Sequence, residues 1–253
     1  MKQTRYTIIV ALSYVVWGFL TLFWSLLAEV DSMYILSQRI IWSMVFMAFY
    51  MTAAKKWDEI KAIFHDKKAL GICFVSGALI TVNWGVYIYA VNNGHVLDSS
   101  LGYFIEPIVV ALFGLVLFKE RMSKAEKLTF VLASAAVLYL VVIHRTFPMI
   151  AMVITFSFSA YGAVKKSLQI SAHASLFMET LCMTPFALIL AAYMELNGTG
   201  VIGTASMQTL LLLPVCGIVT SVPLLLFNIG VKEIPLYITG ILKIGRASCR
   251  ERV

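Results

Sequence analysis

Three features of this sequence predict an all-α polytopic membrane protein. About nine stretches are each apolar over the roughly 20 residues that a helix needs to cross a bilayer. Apolar residues make up 60% of the 253 and charged residues only 13%, too little charge to solvate the surface of a water-soluble domain. The loops between the stretches alternate between basic and acidic, as in a chain that crosses a membrane repeatedly.

The first span, 6–28, follows Lys2 and Arg5. It runs on through Trp17, Phe19, Phe23 and Trp24 without a small-residue cleavage site, so it reads as a retained membrane helix, not a signal peptide. Span 34–53 carries Gln38 and Arg39 near its outer end, and Lys55, Lys56, Lys61, Lys67 and Lys68 separate it from span 69–91. Asp98 lies in the turn before span 100–118, whose interior holds Glu106 and Pro107. Lys119, Arg121, Lys124 and Lys127 lead into span 127–144, and Arg145 stands in the turn to span 147–164. Lys165 and Lys166 follow that span, Glu195 follows span 175–194, Lys232 follows span 208–229, and a ninth span starts near Ile234.

All of the loop and terminal lysines and arginines before Ile244 except Arg145 fall on one side, opposite Glu29, Asp31, Asp98 and Glu195. That side is expected to be cytoplasmic, with the N-terminus inside. The +7 net charge is therefore a topology signal, and the lipid bilayer with its anionic inner leaflet is the partner it needs. Scattered over short loops, the lysines and arginines form no stripe for nucleic acid. Cys73, Cys182 and Cys216 sit singly in apolar spans, and His65, His95, His144 and His173 lie in or beside loops without a ligand partner at i+4, so no metal and no cofactor is expected. There is no His-Glu-x-x-His, no Gly-x-Ser-x-Gly and no Walker lysine, and no soluble stretch long enough for a nucleotide-binding domain. Asn197-Gly198-Thr199 matches a glycosylation sequon on the outer side.

One unit recurs. Asn83-Trp84-Gly85-Val86-Tyr87, Asn92 to Asp98 and Leu101 to Pro107 are echoed by Ser221 to Leu225, Gly230 to Pro235 and Thr239-Gly240-Ile241-Leu242, with Gly102 set on Gly240. Val16-Trp17-Gly18 has a fainter counterpart in Ala160-Tyr161-Gly162. Five spans per unit is an odd number, so the second unit enters from the opposite face and the repeats are inverted, the architecture of alternating-access transporters.

The run through Trp17-Gly18, Arg39-Ile40-Ile41-Trp42-Ser43, Asn83-Trp84, Ala90-Val91-Asn92-Asn93, Leu101 to Pro107, Glu120-Arg121, Phe156-Ser157-Phe158 with Tyr161-Gly162, Glu179-Thr180, Gly217 to Thr220 and Val222 to Leu225 resembles the RarD-type members of the EamA branch of the drug/metabolite transporter superfamily. The resemblance covers about residues 1–242. It implies ten helices in two inverted five-helix repeats, a central cavity lined by helices one, three, four, six, eight and nine, and a carrier of small organic molecules in a bacterial cytoplasmic membrane, driven by protons or by exchange. Residues 1–145 would be the first repeat and 146–243 an incomplete second one. After Leu242 the ninth helix should continue apolar, yet Ile244 to Val253 resembles the translation of a sequencing adaptor and places Arg246, Arg250 and Arg252 in an expected span, which is costly in lipid. A fragment is therefore expected, lacking the last one and a half helices and inactive in transport as it stands.

Glu106 lies a third of the way along its span, where an ionised carboxylate is expensive. It reads either as a proton or substrate-amine site or as a carboxylate held by helix-helix hydrogen bonds. Tyr103 shares its face by i, i+3 spacing. Asn83, Trp84 and Tyr87 form one patch on the third span; Tyr14 with Trp17, and Ser157 with Tyr161, repeat the pattern on the first and sixth. Such groups stack on and hydrogen-bond a planar or cationic solute, or they pack and anchor the helices. Arg39 is an anchor or a contact to an anionic group; Glu179 is a gate or a packing residue. The function expected is a secondary active transporter, exporting metabolites or drug-like solutes by proton coupling or by exchange. An intramembrane enzyme or a receptor is the rival, but neither a nucleophile–base pair nor an output domain is visible.

Overall fold

The computed structural model describes residues 2–144 and 149–250; Arg145 lies outside them, as does the end of the arginine-rich tail. Among the described residues the chain forms ten helices and no strand: α1 (Lys2–Ser25), α2 (Ser32–Ala53), α3 (Trp57–His65), α4 (Lys67–Asn92), α5 (Val96–Leu117), α6 (Lys124–His144), α7 (Met149–Ser167), α8 (Ala172–Leu196), α9 (Met207–Val231) and α10 (Leu236–Arg250). Of these, α1, α2, α4, α5, α8 and α9 are long and apolar enough to cross a membrane. Helices α6, α7 and α10 stand where the fifth, sixth and ninth spans were expected. They carry more charge: Lys124, Glu126 and Lys127 open α6, Lys165 and Lys166 close α7, and α10 holds Lys243, Arg246 and Arg250.

Polar side chains set the helix starts. Asp31 caps α2 by accepting from the Met33 and Tyr34 amides at 2.7 and 3.4 Å, and Asp66 does the same for α4 from Lys68 and Ala69 at 2.9 and 3.1 Å. Ser123 and Glu126 form a reciprocal box at the start of α6, each side chain accepting from the other's amide, at 2.6 and 3.3 Å. Helix α2 ends with Lys55 at φ 54°, its amide donating to Thr52 and the Lys56 amide reaching back to Met51, a left-handed cap that α8 makes with Gly198 at φ 72°.

The stretch between α2 and α4 was expected as a basic loop, and it forms α3. Ile60 and Ile63 lie on one face and are buried, while Asp58 and Lys61 pair at 2.9 Å on the other. Lys165, expected in a loop, lies inside the last turn of α7 and is fully buried.

The chain divides into two compact units. In the first, residues 1–14, 79–167 and 229–253, α5 packs on both α7 and α10. Leu101, Ile105, Val109 and Ala151 form one cluster and Ala111, Met122 and Tyr237 another. The α5–α7 seam is close because Gly102 has no side chain: a Cβ there would stand 3.0 Å from the Ala151 carbonyl oxygen. Gly240 does the same for α10, whose backbone rests on the carbonyl of Pro107. In the second unit, residues 15–78 and 168–228, α2 packs on α8 over a core of Leu27, Val30, Tyr34, Ala191, Met194, Val201, Leu213 and Cys216. There the Tyr34 hydroxyl donates to Glu195 at 2.6 Å, and Glu195 also accepts from the Val201 amide at 3.0 Å.

Candidate functional site

In the first unit the spacing of α5 places Glu106 and Ile105 inward with Pro107, and Glu106 is 0% exposed. Its carboxylate pairs with the ammonium of Lys243 on α10, whose side chain is 7% exposed. Two opposite charges buried together satisfy each other where water cannot, whereas either alone would cost several kcal/mol. Around Lys243 Nζ stand three rings: Phe158 at 4.1 Å to the centroid, Tyr103 at 5.2 Å and Tyr14 at 6.0 Å. Tyr14 is buried and fixed by its hydroxyl, which donates to the Thr239 carbonyl at 3.2 Å. Tyr87 meets Tyr103 edge-on at 5.5 Å. Glu106, Tyr103 and Tyr14 thus converge on one lysine, with Tyr87 packed behind Tyr103.

Asn83 and Tyr161 lie in the same unit with other neighbours. Asn83 Nδ2 donates to the Ile154 carbonyl at 2.7 Å and to Ser157 Oγ at 3.1 Å, tying α4 to α7. Trp84 is half-buried on the same turn of α4. Tyr161 is fully buried, 6.1 Å from Phe158, with Lys165 Nζ 5.6 Å above its ring.

The remaining candidates belong to the second unit. Trp17 packs on Phe227 at 5.7 Å. Arg39 donates from Nε to Thr220 Oγ1 at 3.2 Å, and its guanidinium lies 4.7 Å over the Trp24 ring. Glu179, 1% exposed, accepts from Ser76 Oγ at 2.6 Å and Ser175 Oγ at 2.9 Å.

Besides Phe158, legible only as part of a family motif, three groups of residues escaped sequence reasoning. Lys243 is the first; a cation inside an expected span was the available signal. With Gly102 set on Gly240 it falls opposite Ile105, one residue from the counterpart of Glu106, so the repeat did not mark it. The second is Glu120, which accepts from the Leu236 and Tyr237 amides at 2.9 and 3.2 Å at the start of α10, where the helix dipole favours an anion. Lys166 pairs with it at 3.1 Å and donates to the Ile234 carbonyl at 2.6 Å. The third lies at the start of α8, where Ser171 and His173 both bond Glu59 of α3. Burial alone would raise the Glu59 carboxyl, but the Ser171 and His173 hydrogen bonds and the His173 and Lys56 charges outweigh it and hold it below the usual 4.5.

Six helices long and apolar enough to cross a membrane, with a charge pair and a hydroxyl-held carboxylate buried among the helices, define a polytopic membrane protein that carries costly charge in its interior. Residues 4–142 match the EamA-like transporter family. The chain is 36% identical over 238 residues to the uncharacterized transporter YojE of Bacillus subtilis (strain 168), spanning 92% of this chain and 78% of that protein. It is 35% identical over 240 residues to the protein RarD of Escherichia coli (strain K12), with 94% and 81% covered. With the protein RarD of Streptomyces exfoliatus it shares 34% over 231 residues, covering 91% and 73%. A crystal structure at 14% identity superposes with a TM-score of 0.74 over 98% of this chain and 87% of the other, which is the same fold. The chain belongs to the EamA-like transporter family, is of its RarD type, and is a membrane transporter of small molecules.

Proposed function

We propose that the protein is a secondary active exporter of small organic metabolites or drug-like solutes, working by alternating access across a bacterial cytoplasmic membrane with its N-terminus inside. Glu106 lies on the path of the solute or of the coupled proton. The observation that carries this reading is the wholly buried Glu106 carboxylate within a spanning helix, balanced by Lys243 and walled by aromatic rings. A charge kept at that depth is expensive, and a packing role alone could be filled by an apolar side chain at no such cost. The pairings α5 with α10 and α2 with α8 support the inverted repeat, because each joins helices in equivalent places of the two five-span units.

The test is flux. Vesicles carrying the full-length protein should show saturable, gradient-dependent movement of a solute from a metabolite and drug panel. Glu106→Gln should abolish that flux or free it from pH while the protein still inserts into the membrane. Unchanged flux with unchanged pH dependence would assign Glu106 to structure.

A further inference from the structure

We propose that the Glu106 site takes an organic cation and that Lys243 occupies it as a tethered stand-in for that ligand. The inference rests on the transporter reading above and names the class of solute.

The surroundings of Lys243 are those of a cation-binding cage. The Glu106 carboxylate pairs with it, and the Phe158, Tyr103 and Tyr14 rings stand at 4.1, 5.2 and 6.0 Å. All three distances fall within the ~6 Å over which a ring quadrupole attracts a positive charge. The rings come from α7, α5 and α1 and the lysine from α10, so the cage is assembled from four helices and is not the surface of one. Two walls are themselves braced, Tyr103 by Tyr87 at 5.5 Å and Tyr14 by its bond to Thr239 at 3.2 Å.

This chemistry selects. A carboxylate repels anions, and ring faces reward positive charge carried with an apolar skirt, as in a substituted ammonium or a planar heteroaromatic cation. Lysine offers a small version of the same group at the end of a four-carbon stem. A ligand cation that displaces it leaves the buried carboxylate balanced, and the freed ammonium must then carry its charge to water on that stem. Lys243 directly precedes the run from Ile244 to Val253, so the site is defined here by Glu106 and the three rings, and its test removes the lysine.

The probe is benzyltrimethylammonium, with neopentylbenzene as its uncharged isostere, measured by equilibrium binding to the purified 253-residue chain in detergent. Tethered groups compete at effective concentrations in the millimolar range, so Lys243→Met should tighten benzyltrimethylammonium binding at least about tenfold. The double variant E106Q/K243M should lose that gain, and neopentylbenzene should show none. The proposal is overturned if K243M, monodisperse and helical by circular dichroism, binds the probe no better than the unchanged chain. It is equally overturned if the uncharged isostere gains as much, or if E106Q/K243M keeps the gain. Should K243M not stay monodisperse, K243Q, which can still hydrogen-bond Glu106, is read by the same criteria. The two readings fail separately: flux confined to neutral or anionic solutes in the vesicle assay overturns the cation class and leaves the transporter reading standing. A gain in probe binding beside a total absence of flux supports the cation site and overturns the transporter reading.

Discussion

Glu120 and Lys166 lie 3.1 Å apart with side chains only 9% and 15% exposed, and each also holds backbone at the start of α10. The carboxylate receives the Leu236 and Tyr237 amides, and the ammonium binds the carbonyl of Ile234, two residues before the helix. The pair therefore fixes where α10 begins against α5 and α7. Breaking a largely buried pair on one side costs about 3–5 kcal/mol. Glu120→Gln and Lys166→Met should each lower the thermal midpoint in detergent, and the double variant should lose less than the sum. Additive losses would show that the two act independently.

Glu59 gives a pH dependence of definite sign. Its carboxyl is held below 4.5 in the folded protein, so below that pH the unfolded chain binds the proton first. The stabilisation is complete above the unfolded value and is lost as pH falls through the folded one. Thermal midpoints of the unchanged chain should fall more steeply below about pH 4.5 than those of Glu59→Gln, the two curves converging in acid. Parallel curves throughout would remove Glu59 from the balance.

Lys55 occupies a backbone conformation that suits glycine, at φ 54°. The corresponding turn after α8 has Gly198 there. Lys55→Gly should therefore stabilise the protein by about 1 kcal/mol, read as a higher midpoint. A fall would mean that the lysine side chain contributes more than its backbone costs.

Asn83 donates twice to α7, and removing a buried hydrogen-bonding partner costs about 1–3 kcal/mol. Asn83→Leu should lower stability by that order and leave the ranking of transported solutes unchanged. A changed ranking would move Asn83 from the helix seam into the solute path.

Orientation is checked by labelling. In a variant lacking Cys73, Cys182, Cys216 and Cys249, single cysteines at positions 98 and 197 should react with a membrane-impermeant thiol reagent from outside sealed cells, and those at 56 and 124 should not. Reaction at position 124 would reverse the assigned topology.

Helix positions were legible because a bilayer demands length and apolarity, and those are local properties: Lys67–Val91 and Ala172–Leu196 lie close to spans 69–91 and 175–194. Helix α3 was hidden by its lysines and acids, although Ile60 and Ile63 already showed the i, i+3 face. The burial of Lys165 was hidden for a related reason: a lysine at the end of an apolar run is expected to reach water. Of the site, Glu106 stood out because an ionised carboxylate inside a span is expensive whether it binds a solute or is held by helix-helix hydrogen bonds. Its partner did not, because the contact joins residues 137 apart and no spacing rule reaches that far. The same holds for Glu120, whose amide partners on α10 are 116 and 117 residues away.

Gly240 sets the register of charge as well as the closeness of two helices. Because nothing projects from it, α10 settles directly on the Pro107 carbonyl, and Lys243, three residues on, arrives level with Glu106, one residue before that proline. A single methyl group at position 240 would meet that carbonyl, so the helix would have to move off it and carry Lys243 with it relative to Glu106. An alanine there would be felt at the ion pair as well as at the seam: the missing side chain is the ruler against which the electrostatics of this unit are measured.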